Sequence, residues 1–131
     1  MDLRDYYRIL AGEISENDMR NALKILAGHI GKENAISKRE LVIAIYGKYT
    51  VSTERKTREI ISRLVRDYSL AIGSNSGSSG YYICGDVEEK RDAVKELYHR
   101  AEMIRERGME LARAQLPELS LELNKKQEAL F

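Results

Sequence analysis

Two helix-start signals follow one another near the middle of the chain, and they constrain the fold more than any other feature. Ser37-Lys38-Arg39-Glu40 has the S-x-x-E form of a capping box, which predicts a helix over about residues 38–46. Gly47 ends that helix. The next cap signal is Ser52 or Thr53, which predicts a second helix that reaches about Tyr68. The sequence therefore predicts two consecutive helices joined by a turn that is longer than the usual tight one.

Three further segments have the apolar periodicity of helices. A short first helix is expected over residues 2–11, and a second is expected from Ser15 to Ile30, where Gly31 ends it. A long last helix begins at Asp86 or a neighbouring residue. It runs to about Gln115, because Pro117 disfavours a helical conformation in the residue before it.

The spacing of apolar residues changes from a helical to an alternating pattern after the second capped helix. Leu70 and Ile72 alternate with small residues, and Tyr81-Tyr82-Ile83 has strand-forming side chains. Between them, residues 73–80 consist only of Gly, Ser and Asn, which predicts a loop. Two short strands around such a loop predict a β-hairpin, and Ile36 is expected to pair with it as a very short strand.

Charge is concentrated in one part of a nearly neutral chain. The net charge is +1 over 131 residues, but residues 38–66 contain eight basic and three acidic side chains, a local +5. A basic segment of this kind is typical of a surface that meets an anion such as DNA, although charged helix faces are usually only solvated.

Several other functions are disfavoured by composition and spacing. Cys84 is the only cysteine, and with His29 and His99 it makes no zinc-type spacing, so neither a metal nor another cofactor is expected. No catalytic arrangement of nucleophile and base stands out, which predicts a protein that is not an enzyme. The apolar runs are too short to cross a bilayer and the start lacks signal-peptide order, so a cytoplasmic location is expected.

The order of these elements resembles a known DNA-binding family. Residues 36–41 and 51–64 resemble the helix pair of the winged helix-turn-helix superfamily, and residues 73–82 resemble its wing. The chain as a whole resembles small phage and prophage proteins in which such a domain precedes a long helix. The resemblance implies a mainly α fold with a small β-hairpin, divided into an N-terminal helix (1–13), a winged helix-turn-helix domain (14–84), a long helix (85–116) and a tail (117–131).

In this family the second helix of the pair enters the major groove of duplex DNA. Its first turns are expected to reach base edges and nearby phosphates, whereas later arginines and flanking cations are expected to reach phosphates. The wing contains no Lys or Arg, so it is expected to offer backbone N–H and hydroxyl donors. The predicted DNA-binding residues are Lys38, Arg39, Lys48, Ser52, Thr53, Arg55, Lys56, Glu59, Arg63, Arg66, Asn75 and Ser76.

The last five residues carry a second resemblance. Gln127-Glu128-Ala129-Leu130-Phe131 resembles the peptide by which bacterial proteins bind the sliding clamp of the replication machinery, with Glu128 where Leu is usual. The resemblance implies that Gln127, Leu130 and Phe131 contact the clamp. The alternative is that Leu130 and Phe131 pack back onto the last helix.

The long helix has an apolar track with heptad spacing, formed by Val94, Leu97, Ala101, Ile104 and Leu111. Such a track predicts either a homodimer or packing against the winged domain of the same chain, and Gly108 interrupts it. The favoured function is duplex DNA binding in replication or a related step. A dimeric transcriptional regulator and a DNA-free adaptor that binds or inhibits a host protein are the alternatives.

Overall fold

The computed structural model describes residues 1–75 and 80–117. Within this part of the chain the fold is mainly helical, with a small antiparallel sheet and a long last helix, as the sequence predicts. The helices are α1 (Leu3–Gly12), α2 (Asn17–Leu26), α3 (Lys38–Tyr46), α4 (Val51–Tyr68) and α5 (Val87–Arg113), and the strands are β1 (Ile36–Ser37), β2 (Ile72–Asn75) and β3 (Gly80–Ile83).

Local capping sets the bounds of α3. The Ser37 hydroxyl accepts a hydrogen bond from the backbone N–H of Glu40 at 3.1 Å, and Gly47 ends the helix in a left-handed conformation with φ 77°. Such a φ disfavours residues with a Cβ, which explains the glycine. Both predicted ends of this helix are confirmed.

The predicted cap of α4 was wrong by two to three residues. Its N-cap is Thr50, whose hydroxyl accepts from the N–H of Thr53 at 3.1 Å, while the Thr53 hydroxyl accepts from the N–H of Thr50 at 2.8 Å. This reciprocal pair places Thr53 at the third position of the helix instead of at its cap. The turn between α3 and α4 therefore consists of residues 47–50.

The predicted bounds of α2 were also wrong at both ends. Glu16, not Ser15, is its N-cap, and it makes no side-chain cap bond. The helix ends at Leu26 because the following backbone pairs with β3. Ile83 donates its N–H to the carbonyl of His29 at 3.0 Å, and Gly31 donates to the carbonyl of Ile83 at 2.8 Å.

β3 is the central strand of the sheet, which has the order β1-β3-β2 with both pairs antiparallel. The predicted loop was too long, because Gly73–Asn75 belongs to β2 and Gly80 belongs to β3. Gly73 lies opposite the buried Tyr82, and a Cβ on Gly73 would lie under 3.0 Å from three atoms of the Tyr82 ring. Glycine at position 73 therefore leaves space for the Tyr82 ring, and the backbone can continue there as part of β2.

The core joins α1–α4 to the sheet. Leu23, Leu41, Leu64 and Ile83 are fully buried in one cluster with other apolar side chains from these elements. The chain divides into two units, with the boundary between Val94 and Lys95, so α5 begins in the first and continues into the second. The order of elements in the first unit is compatible with a winged helix-turn-helix, with α3 and α4 as its helix pair and β2–β3 as its wing.

Candidate nucleic-acid interface

α4 has one buried side and one basic side. Its buried residues are Thr53, Thr57, Ile60, Ile61 and Leu64, which recur at helical spacing and fix the helix to the core. The opposite side carries an exposed row that we call the arginine face. It is formed by Arg55, Arg58, Ser62 and Arg66, and together with Glu59 and Arg63 these residues line a shallow depression.

The first turn of α4 contains both buried and exposed positions. Thr53, which was predicted to contact DNA, is only 4% exposed. Its hydroxyl donates to the carbonyl of Lys48 at 3.1 Å, so this side chain holds the turn. Ser52 is exposed, and Val51 is 85% exposed at the start of the helix.

Three of the predicted cations lie over tyrosine rings. The Nζ of Lys38 lies 5.7 Å from the ring centroid of Tyr81, and the Nζ of Lys56 lies 5.9 Å from that of Tyr46. Such contacts hold a cation by the negative face of the ring and restrict where a long side chain can reach.

The third cation, Arg39, lies over Tyr49 at 5.3 Å. The Tyr49 hydroxyl also donates to Glu54 at 3.1 Å, and this hydrogen bond raises the pKa of Tyr49. Arg39 is thereby placed beside the turn that precedes α4. Lys48, in the same turn, is exposed.

Arg63 has a different environment from the other arginines of α4. Its two terminal nitrogens each donate to a carboxylate oxygen of Glu16 at 2.7 Å, and its Nε lies 3.8 Å from Asp67. The hydrogen bond from Arg63 lowers the pKa of Glu16. This guanidinium links the cap of α2 to α4, so a phosphate would have to compete with Glu16 for it.

Arg58 is a member of the arginine face that the sequence prediction omitted. It is exposed, and its positive charge opposes the rise that burial causes in the pKa of Tyr81. Arg58 and Lys38 therefore both lie near Tyr81. The signal was present in the sequence, because residue 58 follows Arg55 by three and precedes Ser62 by four.

Other predicted site residues lie outside this surface. Asn75 is the last residue of β2, whereas Ser76 lies outside the described residues. Gln127, Leu130 and Phe131 also lie outside them. The predicted dimerisation residues all lie on α5, where Val94, Leu97, Ala101, Ile104 and Leu111 are exposed.

The described residues offer little that points to another kind of site. Among residues 1–75 and 80–117, no group of three or more His, Cys, Asp or Glu side chains could hold a metal ion. Cys84 is buried, and burial raises the pKa of its thiol, which disfavours the reactive thiolate. No helix in the described part is both long and apolar enough to cross a membrane.

Comparisons with known proteins do not assign the chain to a family. Searches with it returned no matching family model, no matching curated protein and no matching solved structure.

Proposed function

We propose that the protein binds duplex DNA, with α4 in the major groove. The observation that carries this proposal is the arginine face on a helix whose opposite side is anchored in the core. A helix that reads DNA needs both properties, because its position must be fixed while its polar side chains meet base edges. α4 has 18 residues, which is about 27 Å at the usual rise.

Roles for individual residues follow from their positions. Arg55 and Ser52 lie in the first turns of α4, where base edges are within reach, and arginine can bond guanine through two hydrogen bonds. Val51, exposed beside them, is suited to contact the methyl group of thymine. Arg58 and Arg66, on either side of Ser62, are placed for phosphates.

The cations around α4 extend the proposed footprint. Lys38, Arg39 and Lys48 lie on α3 and on the turn before α4, and contacts from such residues fix the register of a protein on DNA without reading its sequence. Asn75 and Ser76 in the wing remain predicted contacts.

The test is fluorescence anisotropy with duplex DNA over a range of salt concentrations. If about five phosphates are neutralised, log K falls with log salt at a slope of roughly −4 to −5. Arg66→Ala is expected to weaken binding to all sequences alike, whereas Arg55→Ala also relaxes preference at one base position. Arg8→Ala is the matched control, since it removes an exposed cation from α1.

Two results would contradict the proposal. A flat salt response would show that phosphate contacts do not supply the affinity. An equal loss of binding in Arg8→Ala and Arg66→Ala would show that net charge matters and that the arginine face does not. The flat salt response would favour the DNA-free adaptor, whereas the equal loss would favour DNA binding through net charge alone.

The role in replication rests on the tail. Burial of Leu130 and Phe131 in a clamp pocket would stabilise a complex by about 1.5–3 kcal/mol each. The general cost of association would offset much of this, so the isolated peptide should bind at around 10–100 μM. Calorimetry would measure how tightly the clamp binds the full chain and a chain that ends at Lys126. Binding by the full chain alone, tightened by Glu128→Leu, supports the role. Equal results for both chains would leave the transcriptional regulator ahead.

A further inference from the structure

α5 carries its apolar residues on its surface. None of its 27 residues, all of which the structure describes, is buried. Val94, Leu97, Ile104 and Leu111 are among the exposed large apolar side chains of the chain. Because they follow heptad spacing with Ala101, they form one apolar track along the helix.

The charged residues of α5 are segregated around this track. With Val94 at heptad position a, the positions that flank the track between residues 91 and 112 hold four arginines, two alanines and one tyrosine, but no acidic residue. All seven acidic residues of α5 lie on the outer positions b, c and f. The flanking arginines are Arg91, Arg100, Arg105 and Arg107.

This arrangement disfavours pairing of α5 with a second copy of itself. In a parallel pair, Arg100 would face Arg105 of the other copy, since flanking position g meets position e of the next heptad. In an antiparallel pair, g faces g, so Arg100 and Arg107 would face arginines again. Like charges at these positions oppose association and select a different partner.

The same arrangement disfavours an anionic membrane surface. A helix that lies in the headgroup region has Lys and Arg across its polar side. The polar side of α5 instead carries Glu96, Glu102, Glu106 and Glu110, so it would face anionic headgroups with negative charge. The four flanking arginines lie where a partner helix would meet them.

We infer that α5 is half of a heterotypic coiled coil, and that its partner is a helix with an apolar track flanked by Asp or Glu. The arginine flanks would pair with those carboxylates while Leu97, Ile104 and Leu111 pack against the partner's track. This inference goes beyond the proposed function and does not depend on DNA binding.

The experiment uses the full chain and two synthetic peptides. Each has three heptads with Ile at a and Leu at d, but one has Glu at every e and g position and the other has Lys. We expect calorimetry at low salt to show the Glu peptide binding about tenfold tighter than the Lys peptide, since several opposite-charge pairs each contribute a little. Leu97→Asp is expected to abolish binding of both.

A pair of double variants separates placed charge from total charge. Arg100→Glu with Arg107→Glu leaves two arginines and two glutamates on the flanks, so it should abolish the preference for the Glu peptide. Lys95→Glu with Arg113→Glu makes the same change in net charge at outer positions and should keep the preference for the Glu peptide. Circular dichroism of each variant checks that α5 remains helical.

Four outcomes would overturn the inference. One is a dimer of the 15.0 kDa chain in sedimentation at micromolar concentration without peptide, which would restore self-pairing. The second is equal binding of the two peptides, or no binding of either. The third is a preference for the Glu peptide that Arg100→Glu with Arg107→Glu leaves unchanged. Binding to phosphatidylserine-containing vesicles, with none to the Glu peptide, would assign the track to a membrane and is the fourth.

Discussion

α4 and α5 are the two longest helices that the structure describes, and of the two only α4 has a buried side. α4 buries its apolar side in the core and exposes arginines. α5 exposes its apolar track and carries arginines along its edges. Both are amphipathic and both contain several arginines, so composition alone does not separate them.

The difference shows that the burial of the apolar side decides what a basic helix can do. In α4 the core fixes the helix, and its arginines are left to meet a ligand that is recognised by charge and hydrogen bonds. In α5 the apolar track itself is the exposed surface, so its arginines act as selectors at the edge of a packing interface. One helix is suited to a polar ligand and the other to an apolar one.

The largest expected difference between the two helices is in the cost of removing a leucine. Leu64 on α4 is 0% exposed and Leu111 on α5 is 74% exposed. Leu64→Ala leaves a cavity in the core and should lower the free energy of unfolding by about 2–5 kcal/mol. Leu111→Ala should change it by less than about 0.5 kcal/mol. Urea denaturation measures both, and equal losses would contradict the described burial of α4 and exposure of α5.

Glycine substitutions give the next largest contrast. Gly73→Ala would push against the Tyr82 ring, so we expect a loss of about 1–3 kcal/mol in the free energy of unfolding. A Cβ on Gly108 of α5 meets nothing within 4 Å, and Gly108→Ala should stabilise that helix by up to about 1 kcal/mol. Thermal unfolding reports the first variant and far-ultraviolet circular dichroism the second. If Gly73→Ala left the free energy of unfolding unchanged, the Tyr82 ring could not lie so close to Gly73 of β2.

Cap substitutions should have smaller effects. Thr50→Ala removes the reciprocal cap of α4 and is expected to cost about 1 kcal/mol of global stability, because α4 is part of the core. Asp86→Ala removes the acceptor of the 2.8 Å hydrogen bond from the N–H of Glu89. We expect this change to lower the helicity of α5 with little shift in the denaturation midpoint. A larger midpoint shift for Asp86→Ala would reverse the comparison.

The smallest expected effect concerns the ion pair of Glu16 and Arg63. The folded-state pKa of Glu16 is lowered, so the pair contributes stability above the ordinary Glu pKa and loses it as pH falls through the lowered value. Arg63→Ala should raise the pKa of Glu16, as nuclear magnetic resonance titration of its carboxyl would measure. Arg105→Ala breaks a pair within α5 and serves as control. An unchanged Glu16 titration in Arg63→Ala would contradict the cross-link.

The elements that sequence analysis placed correctly are those set by local chemistry. The bounds of α3 depend on the Ser37 hydroxyl and on the left-handed backbone of Gly47, and both signals lie within the segment itself. The end of α2 could not be found in this way. The residues that leave the helix there, His29 and Gly31, bond to Ile83, more than fifty residues later in the sequence.

Only part of the candidate site could be predicted, because only part of it is set by local sequence signals. The basic side of α4 follows from helical spacing, so Arg55 and Arg66 were found. Thr53 was misplaced because two threonines compete for the cap position and their reciprocal bonds decide between them. The pairing of Arg63 with Glu16 joins two helices, and no local pattern indicates it.

The position of β3 in the sheet has a consequence for synthesis of the chain. β3 pairs with β1 and β2, and Ile83 also pairs with Ile30, so these contacts can form only after residues 80–83 have left the ribosome. The four helices made before them have no strand partner in place during that interval. Closure of the N-terminal unit is therefore a late, long-range event in translation, of the kind that slows folding and prolongs exposure of apolar surface.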